Sequence, residues 1–219
     1  KIRAMIISKK LKLKALFTGL ICIFLFTSAY AANPIKIMLY GDSLMAGYGL
    51  SQNENLASEL TRNFEDNNFT VSVINASISG NTSKNGLSRV DWSLGDKPNI
   101  VVVCLGANDM LRGLNPSLTM ENLDSIISKF NQGNSVVILA GMQSPESMGP
   151  DYQIQFDGIY PKLAIKHGLI FMPFLLKDVA LEKQHLQADY KHPNKKGIKI
   201  IASNLYPYLI EGIARLGRK

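Results

Sequence analysis

Five short apolar runs alternate along the chain with segments of helical period. Ile35 to Tyr40 is the first run, followed by Val71 to Asn75, Ile100 to Leu105, Val136 to Ala140 and Leu169 to Phe174. Val101-Val102-Val103-Cys104-Leu105 and Val136-Val137-Ile138-Leu139 are continuous rather than alternating. Such runs predict strands buried on both faces, as in a parallel sheet. Between them, Leu56, Leu60 and Phe64 recur every four residues, and Leu123, Ile126, Ile127 and Phe130 share one helical face. A further helix is expected from about Tyr152 to His167, with an irregularity at Pro161 and an end at Gly168. The last helix is expected to start near Asn194 as N-cap, with Ile198, Ile201, Ala202 and Leu205 on its inner face and a kink or division at Pro207. Strand–helix alternation of this kind predicts a doubly wound α/β fold with helices on both faces.

The N-terminal segment stands apart from that pattern. Lys1 to Lys14 carries six basic residues and no acid, Ala15 to Phe26 is an apolar run of 12 residues, and Ala29-Tyr30-Ala31 offers an A-x-A arrangement. Residues 1–31 therefore read as a secretory signal peptide cut before Ala32, and residues 32–219 as one domain. The alternative is an uncleaved membrane anchor. A spanning helix needs about 20 apolar residues, a length reached only if Thr18, Thr27 and Ser28 are counted in.

Removing the leader changes the charge. The full chain carries a net +7; without the six leader cations, 18 basic residues face 17 acidic ones. A near-neutral domain offers no electrostatic argument for nucleic acid or for an anionic membrane surface. Of the two cysteines, Cys22 lies in the leader, and Leu20-Ile21 before it lacks the small residue that lipoprotein processing would want. Cys104 then has no intramolecular partner and reads as a buried small hydrophobe.

Candidate chemistry gathers where strands end, which is where ligands bind in such sheets. Ser43 follows the first run in the turn Gly41-Asp42-Ser43-Leu44, with Gly41 expected to let the chain turn sharply. A serine hydroxyl needs a neighbouring base to become a nucleophile. His192 is the candidate base, and Asp189, three residues earlier, can orient its ring; Pro193 stiffens the chain behind it and could open the last helix. Two glycine-bearing loops offer oxyanion donors: Ser79-Gly80-Asn81 after the second run, and Gly106-Ala107-Asn108-Asp109 after the third. Asp42 and Asp109 read as structural, bonding nearby backbone N–H groups. His167 reads as a surface residue at a helix end, and His185 as an exposed loop residue. Three histidines without a Cys/His cluster give no metal-site spacing. The glycine loops at 41–49 and 79–86 lack the G-x-x-x-x-G-K pattern of a phosphate loop.

Taken in order, Gly-Asp-Ser-Leu at 41–44, the glycine at 80, Gly-x-Asn-Asp at 106–109 and Asp-x-x-His-Pro at 189–193 resemble the GDSL, or SGNH, hydrolase family. The resemblance runs from about Ile37 to the final helix. Ala46-Gly47-Tyr48, Val73-Ile74-Asn75-Ala76-Ser77-Ile78-Ser79-Gly80 and Leu111-Arg112-Gly113 bring it closest to the group of periplasmic thioesterases, lysophospholipases and arylesterases; Ile159-Tyr160-Pro161-Lys162-Leu163-Ala164 and His192-Pro193-Asn194 add to that match. It implies a flavodoxin-like α/β/α sandwich with a five-stranded, mainly parallel sheet. It also implies Ser43 as nucleophile, His192 as base, Asp189 as its orienting acid, and Ser43, Gly80 and Asn108 as the oxyanion hole. Neither cofactor nor metal is implied, and export would be to the periplasm. Two departures stand out: Ala107 where close relatives often have a second glycine, and a slightly long segment from Glu182 to Ala188.

The loop after Asn108 carries Met110, Leu111 and Leu114, and the loop after the fourth run carries Met142, Pro145 and Met148. An apolar acyl pocket lined by Met110, Leu111, Leu114, Met142 and Pro145 is expected from them, with Gly113 as the hinge of a loop that moves in the group resembled. The resulting expectation is an exported monomeric serine esterase acting on small acyl esters such as lysophospholipids or aryl esters, with thioesters as a further capability. No nucleic-acid partner is expected, nor a stable membrane insertion after leader removal. The alternatives are a carbohydrate O-deacetylase on the same fold, or a non-catalytic lipid- or glycan-binding protein, for which an intact Ser43, Asp189 and His192 would be superfluous.

Overall fold

The apolar runs pair side by side because each is buried on both faces and must satisfy its backbone groups in a ladder. In the computed structural model, which describes residues 33–217, they form β1 (Ile35–Gly41), β2 (Val71–Asn75), β3 (Ile100–Cys104), β4 (Val136–Ala140) and β5 (Ile170–Met172). The leader expected over residues 1–31 lies outside the described residues. The strand order is β2-β1-β3-β4-β5 and every pairing is parallel, the flavodoxin-like arrangement. All five residues of β3 and all five of β4 are buried. β5 is shorter than the run from Leu169 to Phe174 because Pro173 has no N–H to continue the ladder.

Helices cover both faces. α2 (Leu56–Asp66) and the long C-terminal α8 (Lys195–Leu216) pack together on one face; α3 (Ser83–Leu94), α5 (Pro116–Gln132) and α7 (Ile159–His167) cover the other. The expected faces are the buried ones: Leu56, Leu60 and Phe64; Leu123, Ile126, Ile127 and Phe130; Ile198, Ile201, Ala202 and Leu205. Each such aliphatic or aromatic side chain contributes about 1.5–3 kcal/mol when taken fully out of water. Asn194 caps α8 by accepting from the N–H groups of Lys196 and Gly197, and Gly168 ends α7.

Two expectations about proline change. The segment from Tyr152 to His167 is two helices, α6 (Pro150–Asp157) and α7, broken at Gly158 rather than at Pro161. Pro161 lies in the first turn of α7, where a missing N–H costs nothing. Its ring would clash with the carbonyl four residues earlier, that of Asp157, so the break falls one turn upstream. Pro207 does not divide α8, which runs through it from Lys195 to Leu216. Buried Leu205 and Leu209 hold the two sides of that helix to the sheet across the missing bond.

Candidate active site

β1 and β3 are neighbours whose onward connections run to opposite edges of the sheet, which makes the gap beyond their C-terminal ends the switch point of the fold. Gly41 pairs with Cys104, so the residues after each leave the sheet together. Each strand feeds a one-turn helix: α1 (Ser43–Ala46) after β1, and α4 (Ala107–Leu111) after β3. Gly41 is needed for closeness rather than for turning. It is still in β1, its φ is not positive, and a Cβ there would sit 2.7 Å from the Cys104 carbonyl oxygen and 2.8 Å from Met45 Sδ.

Ser43 opens α1, half-buried, behind the cap residue Asp42, whose side chain accepts from the Leu44 N–H at 3.1 Å. Ser43 Oγ lies 2.9 Å from His192 Nε2, and His192 Nδ1 lies 2.6 Å from Asp189 Oδ2. The remaining Asp189 oxygen accepts from the backbone N–H groups of Lys191 and His192, each at 3.0 Å. The hydrogen bond to the His192 ring, helped by these two N–H groups, holds the Asp189 carboxyl far below the usual carboxylate range. The loop is tightly wound, with Tyr190 between the two side chains at a φ of 54°. Pro193 does not open α8: it forms an antiparallel bridge with Leu186 that closes the base of this loop, and the helix starts after Asn194.

The donors expected around Ser43 are its own N–H, the Gly80 N–H and the Asn108 amide. The Ser43 N–H is in the first turn of α1, where no intrahelical acceptor exists, and it makes no hydrogen bond among the described residues; nor does the Gly80 N–H. Gly80 has a φ of 80° with open space where a Cβ would be, so its backbone conformation demands glycine. The Asn108 amide differs from expectation. Its Nδ2 donates to the Asn81 carbonyl at 3.1 Å and to Asp42 Oδ2 at 3.3 Å, so both its hydrogens have protein partners. Burial of Asp42 pushes its carboxyl up to about 6, against the bonds from Leu44 and Asn108 that favour its charge. Asp109 is structural as expected, accepting from Ser83 N–H (2.8 Å), Ser83 Oγ (2.5 Å) and Thr119 Oγ1 (3.3 Å).

One residue that sequence reasoning passed over ties these loops together. Arg89 on α3 donates to the Gly41 carbonyl (3.1 Å), the Ala76 carbonyl (2.6 Å) and Asn81 Oδ1 (2.8 Å), with its guanidinium 4.0 Å from the Tyr40 ring centre. It spans the exits of β1 and β2 and the segment beside Gly80. No motif marks it, because its partners are mostly backbone carbonyls.

The expected acyl wall is only partly assembled. Leu111 is 62% exposed, and Leu114 and Pro145 are exposed as well, but Met110 and Met142 are buried in the core. Met110 belongs to the helical turn α4 and Met142 comes two residues after β4, and both are part of the buried core. The Leu114 carbonyl accepts from Tyr152 Oη at 3.0 Å. A cavity of about 500 Å³ opens elsewhere, lined by Met172, Phe174, Lys177, Asn204 and Tyr208 among others, and shares no residue with the predicted site. His167 is less free than expected: its Nε2 lies 2.6 Å from Asp124 Oδ1, tying α7 to α5. His185 is half-exposed against the Asp178 carbonyl, in the segment before Asp189. Cys104 is buried, and burial raises its thiol well above its ordinary value. No group of His, Cys, Asp and Glu among the described residues could hold a metal ion.

Comparison with known proteins bears on the family and the fold. Residues 39–200 match the profile of the GDSL-like lipase/acylhydrolase family. The chain is 34% identical over 195 residues to the esterase TesA of Pseudomonas aeruginosa, covering 89% of this chain and 96% of that one. It is 36% identical over 173 residues to thioesterase 1/protease 1/lysophospholipase L1 of Escherichia coli K12, covering 78% and 82%. The crystal structure of the psychrotrophic esterase EstA from Pseudoalteromonas sp., inhibited by monoethylphosphonate, superposes with a TM-score of 0.78 at 31% identity, covering 82% and 99%. A doubly wound sheet with Gly-Asp-Ser-Leu at its switch point, matched over most of its length by these proteins, places this chain in the GDSL-like lipase/acylhydrolase family.

Proposed function

We propose that the protein is an exported serine esterase that hydrolyses acyl esters through an acyl-enzyme. The observation that carries the reading is the unbroken relay from Ser43 Oγ through His192 to Asp189, with contacts of 2.9 and 2.6 Å. Ser43 Oγ attacks the ester carbonyl carbon while His192 Nε2 takes its proton. Asp189 holds the other ring nitrogen as N–H and stabilises the imidazolium. The oxyanion is received by the unpartnered N–H groups of Ser43 and Gly80 and by Asn108 Nδ2, which must give up one of its present partners to reach it. Collapse breaks the bond to the leaving oxygen, which takes the proton from His192. Water then attacks the acyl-serine, again giving a proton to His192, and its collapse releases the acid and restores Ser43.

The substrate class follows from the exposed Leu111 and Leu114 beside Asn108, which offer an apolar rim to an acyl chain. The names of the relatives, esterase and thioesterase/lysophospholipase, favour lipid-derived esters, with thioesters as a further capability. Export rests on the leader pattern of residues 1–31, with the mature chain starting at Ala32. No described helix is long and apolar enough to cross a membrane.

Hydrolysis of p-nitrophenyl esters from acetate to palmitate by the chain starting at Ala32, beside Ser43→Ala, tests the reading. Activity peaking at medium or long chains and absent in the variant is expected. A peak at acetate would favour deacetylation, and equal activity in Ser43→Ala would remove the serine mechanism.

A further inference from the structure

Two side chains with no part in the triad meet it from outside. The Tyr48 ring lies over the His192 imidazole, with centroids 4.5 Å apart and planes inclined by 38°. Tyr48 is 53% exposed, and its hydroxyl makes no hydrogen bond among the described residues. Neither core packing nor a polar contact of the hydroxyl accounts for an aromatic ring at this place; its contact with His192 does.

Gln187 supplies the second connection. Its Nε2 donates to the Tyr48 carbonyl at 2.7 Å and to the Pro193 carbonyl at 2.9 Å. Its backbone N–H donates to the His192 carbonyl at 2.8 Å, and its own carbonyl accepts from the Tyr190 N–H at 3.0 Å. One residue thus fastens the loop bearing the base to the loop that follows the nucleophile, 139 positions earlier in the chain. Among the described residues, Asp189 is held by two N–H groups and the ring itself. The position of that ring relative to Ser43 therefore depends on what fixes its loop from outside.

We propose that Tyr48 and Gln187 are positioning residues for His192. Gln187 locks the 187–193 loop against the Tyr48 backbone, and the Tyr48 ring supports one face of the imidazole at hydrogen-bonding distance from Ser43. When His192 takes the serine proton, the resulting cation faces an aromatic ring at cation–π distance. The inference rests on the Ser43–His192 reading given above.

The test compares Tyr48→Leu, Tyr48→Phe and Gln187→Ala with the wild type and Ser43→Ala, using kcat and KM on p-nitrophenyl butyrate and thermal melts of each. Tyr48→Leu should lower kcat roughly three- to tenfold, with KM within about twofold because a ring that acts through His192 affects the chemical step rather than binding. Tyr48→Phe should restore the wild-type kcat, because only the ring is used. Gln187→Ala should also act on kcat rather than KM. Wild-type kcat in Tyr48→Leu, a change confined to KM, or an equal loss in Tyr48→Phe would overturn the proposal. If Tyr48→Leu fails to fold, Tyr48→Phe and Gln187→Ala still decide it. Full activity in Ser43→Ala would instead remove the underlying serine reading, so the two failures are distinguishable.

Discussion

The Asn108 side-chain amide stands 3.3 Å from the buried carboxylate of Asp42, the residue that precedes the proposed nucleophile. A carboxylate kept out of water next to a proposed oxyanion donor serves one purpose well: it fixes which way the amide points. It does so at a cost, since burial of a charge disfavours its ionised form.

That cost makes a pH prediction. Asp42 rises from its ordinary value of 3.8 to about 6 in the folded protein. A carboxyl raised on folding adds stability that is fully present below the unfolded value and is lost as pH rises through the folded one. The wild type should therefore gain stability relative to Asp42→Asn as pH falls from 7 to 4, by up to about 3 kcal/mol. Urea unfolding of both proteins at pH 4, 5, 6 and 7 measures it. A pH-independent difference would show that Asp42 titrates alike in both states.

Asp189 behaves in the opposite way. Its carboxyl is held far down by His192 and two N–H groups, so it stays ionised through the working range and adds no acid limb of its own to activity. Asp189→Asn should leave the loop bonds largely in place yet favour the wrong ring tautomer, lowering kcat by about 10⁴-fold. Steady-state kinetics on an activated ester would read it; a loss below tenfold would assign the work to Ser43 and His192 alone.

Arg89 should matter to activity although it lies off the reaction centre. Arg89→Lys keeps the charge but cannot reach the Gly41 and Ala76 carbonyls and Asn81 together. Losing one or two partly buried, charge-assisted hydrogen bonds costs about 1.5–3 kcal/mol each. A fall in melting temperature of about 3–24 °C, with kcat lowered at least tenfold, is expected. Melting and turnover measured on one preparation would separate this from simple destabilisation, in which kcat of the folded protein would be unchanged.

The apolar rim has a chain-length signature. Leu111→Ser and Leu114→Ser should leave acetate hydrolysis nearly unchanged and lower kcat/KM for octanoate. Each methylene that loses apolar cover is worth about 0.8 kcal/mol, so the octanoate-to-acetate ratio should fall at least fivefold. An unchanged ratio would place the acyl chain elsewhere.

Much of this was legible in the linear chain because it is local. A continuous run such as Val101 to Leu105 can only be buried on both faces, and the four-residue recurrence of Leu56, Leu60 and Phe64 can only be one helical face. The motif residues were legible for a related reason: Ser43, Gly80, Asn108 and the Asp189–His192 pair each sit a few residues after a strand or before the last helix, and parallel sheets gather those places at one edge. Pro161 was visible but its effect was misplaced, since a proline acts on the carbonyl four residues upstream.

Contacts between segments far apart in sequence needed the folded molecule. The burial of Met110 and Met142, the double engagement of the Asn108 amide, the three-way grip of Arg89 and the Tyr48–Gln187 clamp leave no periodicity or motif behind. Their partners are mostly backbone carbonyls and ring faces, which every residue or many residues can offer. Pattern along a chain records which face a side chain turns to the core, because burial repeats with the geometry of a helix or strand. It does not record which backbone atom waits on the other side, because that is decided only when the loops at the end of the sheet close on one another.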